Sequence, residues 1–415
     1  MKILFVAMAN SVHTARWINQ IPRSSNEVYI YPCINTGSSH PDLHDLTIYH
    51  NFYSKTENVG KNVTLLGYQI FDTSIEENLF FHYSKSIFNL FIYSIEKVTN
   101  ILWPNRSAEK LAKIIQKINP DVIHSMQIQA SGYLTLEAKK IVKSNFPRWI
   151  VTNWGSDISL FGSDPSHASK IREVLSECDY YSCECERDLK LARKFGFKGK
   201  FLEVMPNAGG YDIPRYKKYS LVSPSQRKYI MVKGYQGWAG RSLVALEALD
   251  SIGYILHEKK YGLIIYSMAG NTEVEKRAEA IAQKHHLKLK LIPQFTPHDE
   301  IIRLHAESRI SIGLSMGDGI STSLLESMLT GSFPIQSYTA CADEWIVDGH
   351  TGILVPPEAQ QSVKRALLKA IEDDGLVDKA AKLNLRTIKQ SADYNKIRKQ
   401  VLELYNTVIK ESKKS

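Results

Sequence analysis

The sequence predicts an α/β protein built from two doubly wound parallel sheets. Three observations carry that expectation. Short apolar runs of strand length alternate with amphipathic runs of helix length from Ile3 to Gln336, the order that parallel sheets with crossover helices produce. The series pauses at residues 212–226, a polar stretch with Pro214, Pro224 and several Ser and Lys, which has the composition of a linker. A second alternating series then starts at Tyr229. The predicted layout is an N-terminal Rossmann-like domain over 1–211, a linker over 212–226 and a C-terminal Rossmann-like domain over 227–390. The two domains face one cleft, and a helix over 391–415 crosses back to the first.

The first strand, Ile3 to Val6, ends in Ala9-Asn10-Ser11-Val12-His13 and runs into a helix with Trp17, Ile18 and Ile21. No G-x-G-x-x-G follows that strand, so the dinucleotide fingerprint is absent. Its apolar start resembles a signal peptide but is too brief, and His13, Arg16 and Trp17 stand where a cleavage site belongs. Val28 to Pro32 reads as a strand, and residues 34–78 read as polar and irregular with an apolar patch at Val63 to Ile70. Leu79 to Trp103 is rich in aromatics, among them Phe80, Phe81, Phe88, Phe91 and Trp103. It fits a core-packing helix pair or an interfacial helix that meets a membrane.

Ala108 to Ile118 is an amphipathic helix broken by Asn119-Pro120, and Asp121 to His124 is a buried strand. Helix, strand, helix, strand and helix follow to Gly196, with Trp149 to Thr152 ending in Asn153-Trp154-Gly155-Ser156-Asp157. Phe201 to Val204 ends in Pro206-Asn207-Ala208-Gly209. In the second half, strands are expected at 229–232, 263–268, 289–292, 310–314 and 333–336, with helices between them and a long helix from about 395 to 411.

The stretch Ser311 to Pro334 organises the second half. A buried strand passes into a loop of small residues, Ser315 to Gly319, and then into Ser321-Thr322-Ser323, preferred caps of a helix N-terminus. Gly331 stops that helix. Such a junction offers backbone N–H groups and a positive dipole end to an anion. Asp318 in the loop and Glu326 in the helix flank it. A carboxylate would repel phosphate, so these two should serve other groups, such as sugar hydroxyls.

Composition narrows the classes. The 415 residues include 52 Lys and Arg against 43 Asp and Glu, for a net charge of +9. The basic residues are dispersed and carry no nucleic-acid motif, which fits phosphorylated substrates or an anionic membrane surface. No apolar run reaches the roughly 18 residues a membrane helix needs. The odd, scattered cysteines, Cys33, Cys178, Cys183, Cys185 and Cys341, argue for the reducing cytoplasm.

Several segments together resemble the retaining nucleotide-sugar glycosyltransferases of the GT-B fold, often called glycosyltransferase family four. That family carries a Glu, seven residues, a second Glu, a helix and a Gly-x-Pro turn. Here the set reads Asp318, Glu326 and Gly331-Ser332-Phe333-Pro334, with one extra residue in the turn. Glu344-Trp345-Ile346-Val347 and Gly352-Ile353-Leu354-Val355-Pro356 match two further segments, and Pro120 to His124 and Pro206 to Gly209 match two upstream ones. The resemblance covers about residues 1–25 and 108–410. Three positions depart from it. Asp318 stands for the family's first Glu, Trp154 for a His, and Lys233-Gly234-Tyr235-Gln236-Gly237-Trp238-Ala239-Gly240-Arg241 for its basic G-R-x-x-x-x-K-G stretch.

The resemblance implies transfer of a sugar from a nucleotide-sugar donor to a cell-surface glycan or lipid-linked acceptor. Arg241 first and Lys233 second are expected to hold the diphosphate, with Gly240, Gly319 and the N–H groups of Ser321, Thr322 and Ser323. Glu326 should bind the ribose hydroxyls, Asp318 the sugar hydroxyls, and Ile292-Pro293-Gln294 the base. His13 and Asp157 are expected to face the cleft from the acceptor domain. Protein cations replace a metal, no D-x-D motif with metal-like ligands is present, and no cofactor is implied. The expected site of action is the cytoplasm, at the inner face of the membrane. Two other readings use the same residues: a sugar-nucleotide epimerase or hydrolase, and a non-catalytic two-lobed binding protein.

Overall fold

The computed structural model of the chain describes residues 1–55, 58–70, 94–95, 98, 106–219, 222–294 and 296–412. Two compact units emerge: Met1–Gly209 with Arg398–Ser415, and Gly210–Ile397. Apart from residues 94, 95 and 98, the aromatic stretch 79–103 lies outside the described residues, and so does its membrane reading.

The strands of the first unit are β1 (Lys2–Ala7), β2 (Glu27–Pro32), β3 (Leu46–Lys55), β4 (Val63–Ile70), β5 (Val122–Met126), β6 (Arg148–Thr152), β7 (Tyr180–Ser182) and β8 (Lys200–Phe201). Among the described residues they form one sheet in the order β4-β3-β2-β1-β5-β6-β7-β8, and every pairing is parallel. The order reverses direction between β1 and β5, the switch point where doubly wound sheets open a crevice. Crossover helices cover the sheet. The helix Arg106–Ile118 buries Leu111, Ala112, Ile115 and Ile118 on one face, the period-3.6 stripe of its sequence.

Strands β3 and β4 stand where the sequence suggests irregular chain. The reason is visible in β3, where buried Leu46, Ile48 and Tyr53 are interrupted by buried His50, Asn51 and Ser54. Their polarity hides the strand from a hydrophobic-pattern reading. Burial pushes the His50 imidazole down to about 4, and Lys110 Nζ donates to the His50 carbonyl at 2.9 Å.

The C-terminal helix Tyr394–Ser412 is tied into the first unit through Tyr405. Trp17 Nε1 donates to the Tyr405 hydroxyl at 2.9 Å. That hydroxyl lies 2.7 Å from His124 Nδ1, and His124 Nε2 lies 2.6 Å from Thr152 Oγ1. All four side chains are buried, so this chain of hydrogen bonds is satisfied internally, as buried polar groups must be.

The second unit has β9 (Tyr229–Lys233), β10 (Gly262–Tyr266), β11 (Lys288–Leu291), β12 (Ser308–Gly313), β13 (Phe333–Ser337) and β14 (Ile353–Val355). Their order among the described residues is β11-β10-β9-β12-β13-β14, again parallel throughout. This is the 3-2-1-4-5-6 order of a Rossmann unit, whose switch point lies between its first and fourth strands. Here those strands are β9 and β12. Among the polar residues 212–226, Ile213–Lys217 forms a short helix, and Ser225 packs within this unit. Ser225 donates from its N–H and its hydroxyl to the two oxygens of Asp378 at 3.0 and 2.8 Å. No described helix is long and apolar enough to cross a membrane.

Candidate active site

The site grows from the switch point of the second unit. Strand β12 ends at Gly313, and the loop that follows leads into the helix Thr322–Thr330, closed by Gly331 in the left-handed region at φ 82°. Three loops are tied at Ser315. Its N–H donates to Ser337 Oγ at 2.9 Å, Ser337 Oγ returns a bond to its carbonyl at 2.9 Å, and Thr339 Oγ1 donates to the same carbonyl. From the other side, Gly240 bridges to Ser315. Arg241 N–H reaches Leu314 O at 2.9 Å, and Met316 N–H reaches Ala239 O at 3.2 Å. The loop after β9 is therefore laced onto the loop after β12. Gly240 permits this, because a Cβ there would meet the Tyr235 carbonyl oxygen at 2.3 Å.

Lys233, the last residue of β9, aims at the helix start. Its Nζ lies 3.3 Å from Ser321 Oγ and 4.5 Å from the centre of the Tyr235 ring. Ser321 is the N-cap but makes no side-chain bond to the helix backbone. Its hydroxyl instead lies 2.7 Å from Ser323 Oγ. A cation, two hydroxyls and a helix N-terminus thus gather at one point, an arrangement suited to phosphate oxygens.

Arg241 is placed differently. Its Nε pairs with Glu358 Oε1 at 2.8 Å, and its Nη1 donates to the carbonyls of Gly237 at 2.5 Å and Gly240 at 3.0 Å. The guanidinium closes its own loop, and Lys233 is the cation held against the cradle. The sequence reading ranks Arg241 first and Lys233 second.

Glu326 is buried at 5% exposure inside the helix. His298 Nε2 lies 2.7 Å from its Oε1, and His305 Nε2 lies 3.7 Å from its Oε2. Burial pushes His305 down to about 4 against the pull of Glu326, so that imidazole is neutral at pH 7. Tyr266, fully enclosed beside it, is raised well above its ordinary value by burial and then by the Glu326 charge. Asp318 is half-buried in the loop, and the Gly319 N–H donates to its Oδ1 at 2.9 Å. Thr322 opens the helix, and Tyr211 donates to its carbonyl at 3.4 Å. Gln294 is exposed, while the Ile292 N–H is engaged by the Ile265 carbonyl at 2.9 Å.

Residues 227–390 match the family model described as glycosyl transferases group 1, and residues 86–180 match that of glycosyl transferase 4-like. Both halves of the chain thus match glycosyltransferase family models, and its fold is GT-B. A curated relative, an uncharacterised glycosyltransferase of Methanocaldococcus jannaschii, is 29% identical over 93 residues, which are 22% of this chain and 24% of that one. The matched region spans only about a quarter of that relative. Sucrose-phosphate synthase from Thermosynechococcus elongatus matches the fold with a TM-score of 0.65 at 11% identity, over 99% of this chain and 100% of that one. HepE of Anabaena in complex with UDP-glucose matches with a TM-score of 0.65 at 15% identity, over 98% and 100%. A glycosyltransferase from Rickettsia africae gives 0.61 at 16% identity, over 99% and 98%.

The first unit holds the other two expected residues. His13 sits in the first turn of the helix Val12–Ile18, where Ser11 Oγ accepts its N–H at 3.2 Å. Its ring meets the Trp154 ring edge-on at 5.8 Å, so Trp154 supplies an aromatic wall where the family has an imidazole. Asp157 is 1% exposed, and its Oδ2 accepts from the N–H groups of Ile128 at 2.9 Å and Trp154 at 3.0 Å. Its carboxylate braces the loops after β5 and β6 and is enclosed by them. Nearby Gln127 adopts φ 105°, a strained value for a residue with a side chain.

Sequence reasoning missed His298, His305 and Tyr266. One signal was available: the two histidines lie seven apart, on one face of the helix that precedes β12.

Proposed function

We propose that this glycosyltransferase is a retaining, metal-independent enzyme that moves a sugar from a nucleotide-sugar donor to a hydroxyl of a glycan or lipid-linked acceptor. The observation that carries this reading is Lys233 Nζ, 3.3 Å from Ser321 Oγ at the N-terminus of the helix that buries Glu326. A diphosphate seated there meets a cation and backbone N–H groups, and its ribose would extend toward Glu326, one turn on. HepE, with the same fold, is a complex with UDP-glucose, which makes UDP the first nucleotide to try.

In the transfer, the bond between the anomeric carbon and the leaving phosphate oxygen breaks. Negative charge grows on the diphosphate and positive charge on the sugar. Lys233 and the N–H groups of Ser321, Thr322 and Ser323 stabilise the first, in the preorganised manner that lowers barriers most. Asp318 holds the sugar hydroxyls and faces the second. A bond forms from the acceptor oxygen to the same face of the anomeric carbon, and the acceptor's proton passes to the leaving phosphate oxygen. No protein base is then needed. The net charge of +9 supports work at an anionic cytoplasmic membrane face.

The experiment is a thermal-shift panel of UDP, GDP, ADP and their common sugar conjugates in excess EDTA. A ligand that binds the native state raises the midpoint by mass action. A clear shift with one nucleoside diphosphate supports the reading, and no shift with any of them removes it.

A further inference from the structure

The buried carboxylate of Glu326 is gripped from one helix. His298 opens the helix His298–Glu307, and His305 lies two turns on. Seven residues bring both imidazoles to the same face. His305 is fully buried, and its Nδ1 lies 2.9 Å from Ser311 Oγ, which lies 2.8 Å from Ser332 Oγ. With Nδ1 engaged by Ser311, the His305 Nε2 faces Glu326 Oε2 at 3.7 Å, beyond direct hydrogen-bond distance. His298 closes the other oxygen at 2.7 Å and is itself packed edge-on against Tyr216 at 6.1 Å. Its side chain keeps 28% exposure against 6% for Glu326.

Resting on the proposed function, we propose that His298 is a positioning residue for the nucleotide. It fixes the Glu326 carboxylate in the orientation that accepts both ribose hydroxyls. A buried Glu has three side-chain torsions, and fixing them in advance removes an ordering cost from the binding step. His305 supplies the rear stop, because its Nδ1 is anchored in the protein interior. His298 supplies the front stop, because it holds Oε1 while its own side chain stays partly exposed. The histidine therefore acts on the ribose through Glu326, and its loss should be felt only by ligands that carry the full ribose diol.

The test is calorimetry at neutral pH in EDTA with wild type, His298→Ala and His298→Gln. The probe is whichever of UDP, GDP and ADP wild type binds best, together with its 2′-deoxy form. Wild type should favour the ribonucleotide. His298→Ala should lose about tenfold on the ribonucleotide and little on the deoxy form. His298→Gln, whose amide nitrogen can replace the Nε2 donor, should recover most of that loss. An equal loss on both nucleotides, or no loss on either, overturns the positioning role while leaving the proposed function intact. If wild type binds none of the three ribonucleotides, the proposed function falls and this inference falls with it. Melting temperatures of the variants separate a folding defect from the ligand effect.

Discussion

Lys233 Nζ stands 3.3 Å from Ser321 Oγ, so the last residue of β9 meets the cap of the helix that follows β12, across the switch point of the second sheet. A parallel Rossmann sheet brings these two together because its first and fourth strands are neighbours. Eighty-eight positions of sequence separate the pair.

The two cations near this point should separate on mutation. Lys233→Met removes a charge-assisted contact worth about 1.5–3 kcal/mol, so nucleoside diphosphate affinity should fall at least about tenfold. Arg241→Ala frees the loop from Glu358 and from the Gly237 and Gly240 carbonyls. It should cost less affinity than Lys233→Met. Calorimetry on both variants ranks them, and a larger loss at Arg241 would return the diphosphate to the guanidinium.

The two carboxylates should divide the kinetics. Glu326 would hold the ribose in ground and transition states alike, so Glu326→Gln should raise donor KM with less effect on kcat. Asp318 would meet charge that develops at the sugar, so Asp318→Asn should lower kcat more than it raises KM. Asp318→Glu should keep activity. Steady-state kinetics with the identified donor check this, and wild-type turnover by Asp318→Asn rejects the assignment.

Metal dependence gives a third outcome. With Lys233 and the helix N-terminus neutralising the diphosphate, activity should survive an excess of EDTA. Abolition by EDTA and restoration by manganese would mean that a divalent ion carries the leaving group.

Acid stability follows from the buried histidines. Burial pushes His124 down from its ordinary 6.5 to about 3 and His305 to about 4. Each is neutral in the native state and takes up a proton on unfolding at acid pH. The stability they support is present above pH 6.5 and is lost as pH falls from there toward the native values. The slope is at most about 1.4 kcal/mol per pH unit for each histidine. Thermal melts should show a falling midpoint below pH 6.5. His124→Gln, which keeps a donor and an acceptor for Tyr405 and Thr152 but cannot titrate, should make that fall shallower. An unchanged acid limb would mean other groups set it.

Much of this was legible in the sequence because the relevant signals are local. The helix Thr322–Thr330 announces itself with Ser321-Thr322-Ser323 at one end and Gly331 at the other, and a continuous apolar run, Tyr229 to Val232, marks β9. Strand β3 was not legible, since His50, Asn51 and Ser54 are buried polar residues, and the contacts that hold this segment, between the Asn51 amide and Ser107 and from Lys110 to the His50 and Asn51 carbonyls, come from far away in sequence. The site was half legible for the same reason. Asp318 and Glu326 share one junction, but the choice between Lys233 and Arg241 depends on where each side chain is bound. Lys233 reaches a helix cap contributed by a distant loop, and Arg241 folds back on its own loop while pairing with distant Glu358. Asp157 reads as an available acid in Trp154-Gly155-Ser156-Asp157, yet two backbone N–H groups enclose its carboxylate.

The central claim is that the switch point of the second unit holds the diphosphate of a sugar nucleotide by protein groups alone. Calorimetric titration of wild type in excess EDTA, with UDP, GDP and ADP each set against its monophosphate, tests it most directly. The account predicts that one diphosphate binds at least about tenfold more tightly than its monophosphate, since the second phosphate gains the Lys233 contact. Equal affinity for the two, or no binding of any diphosphate until a divalent metal is added, would contradict it.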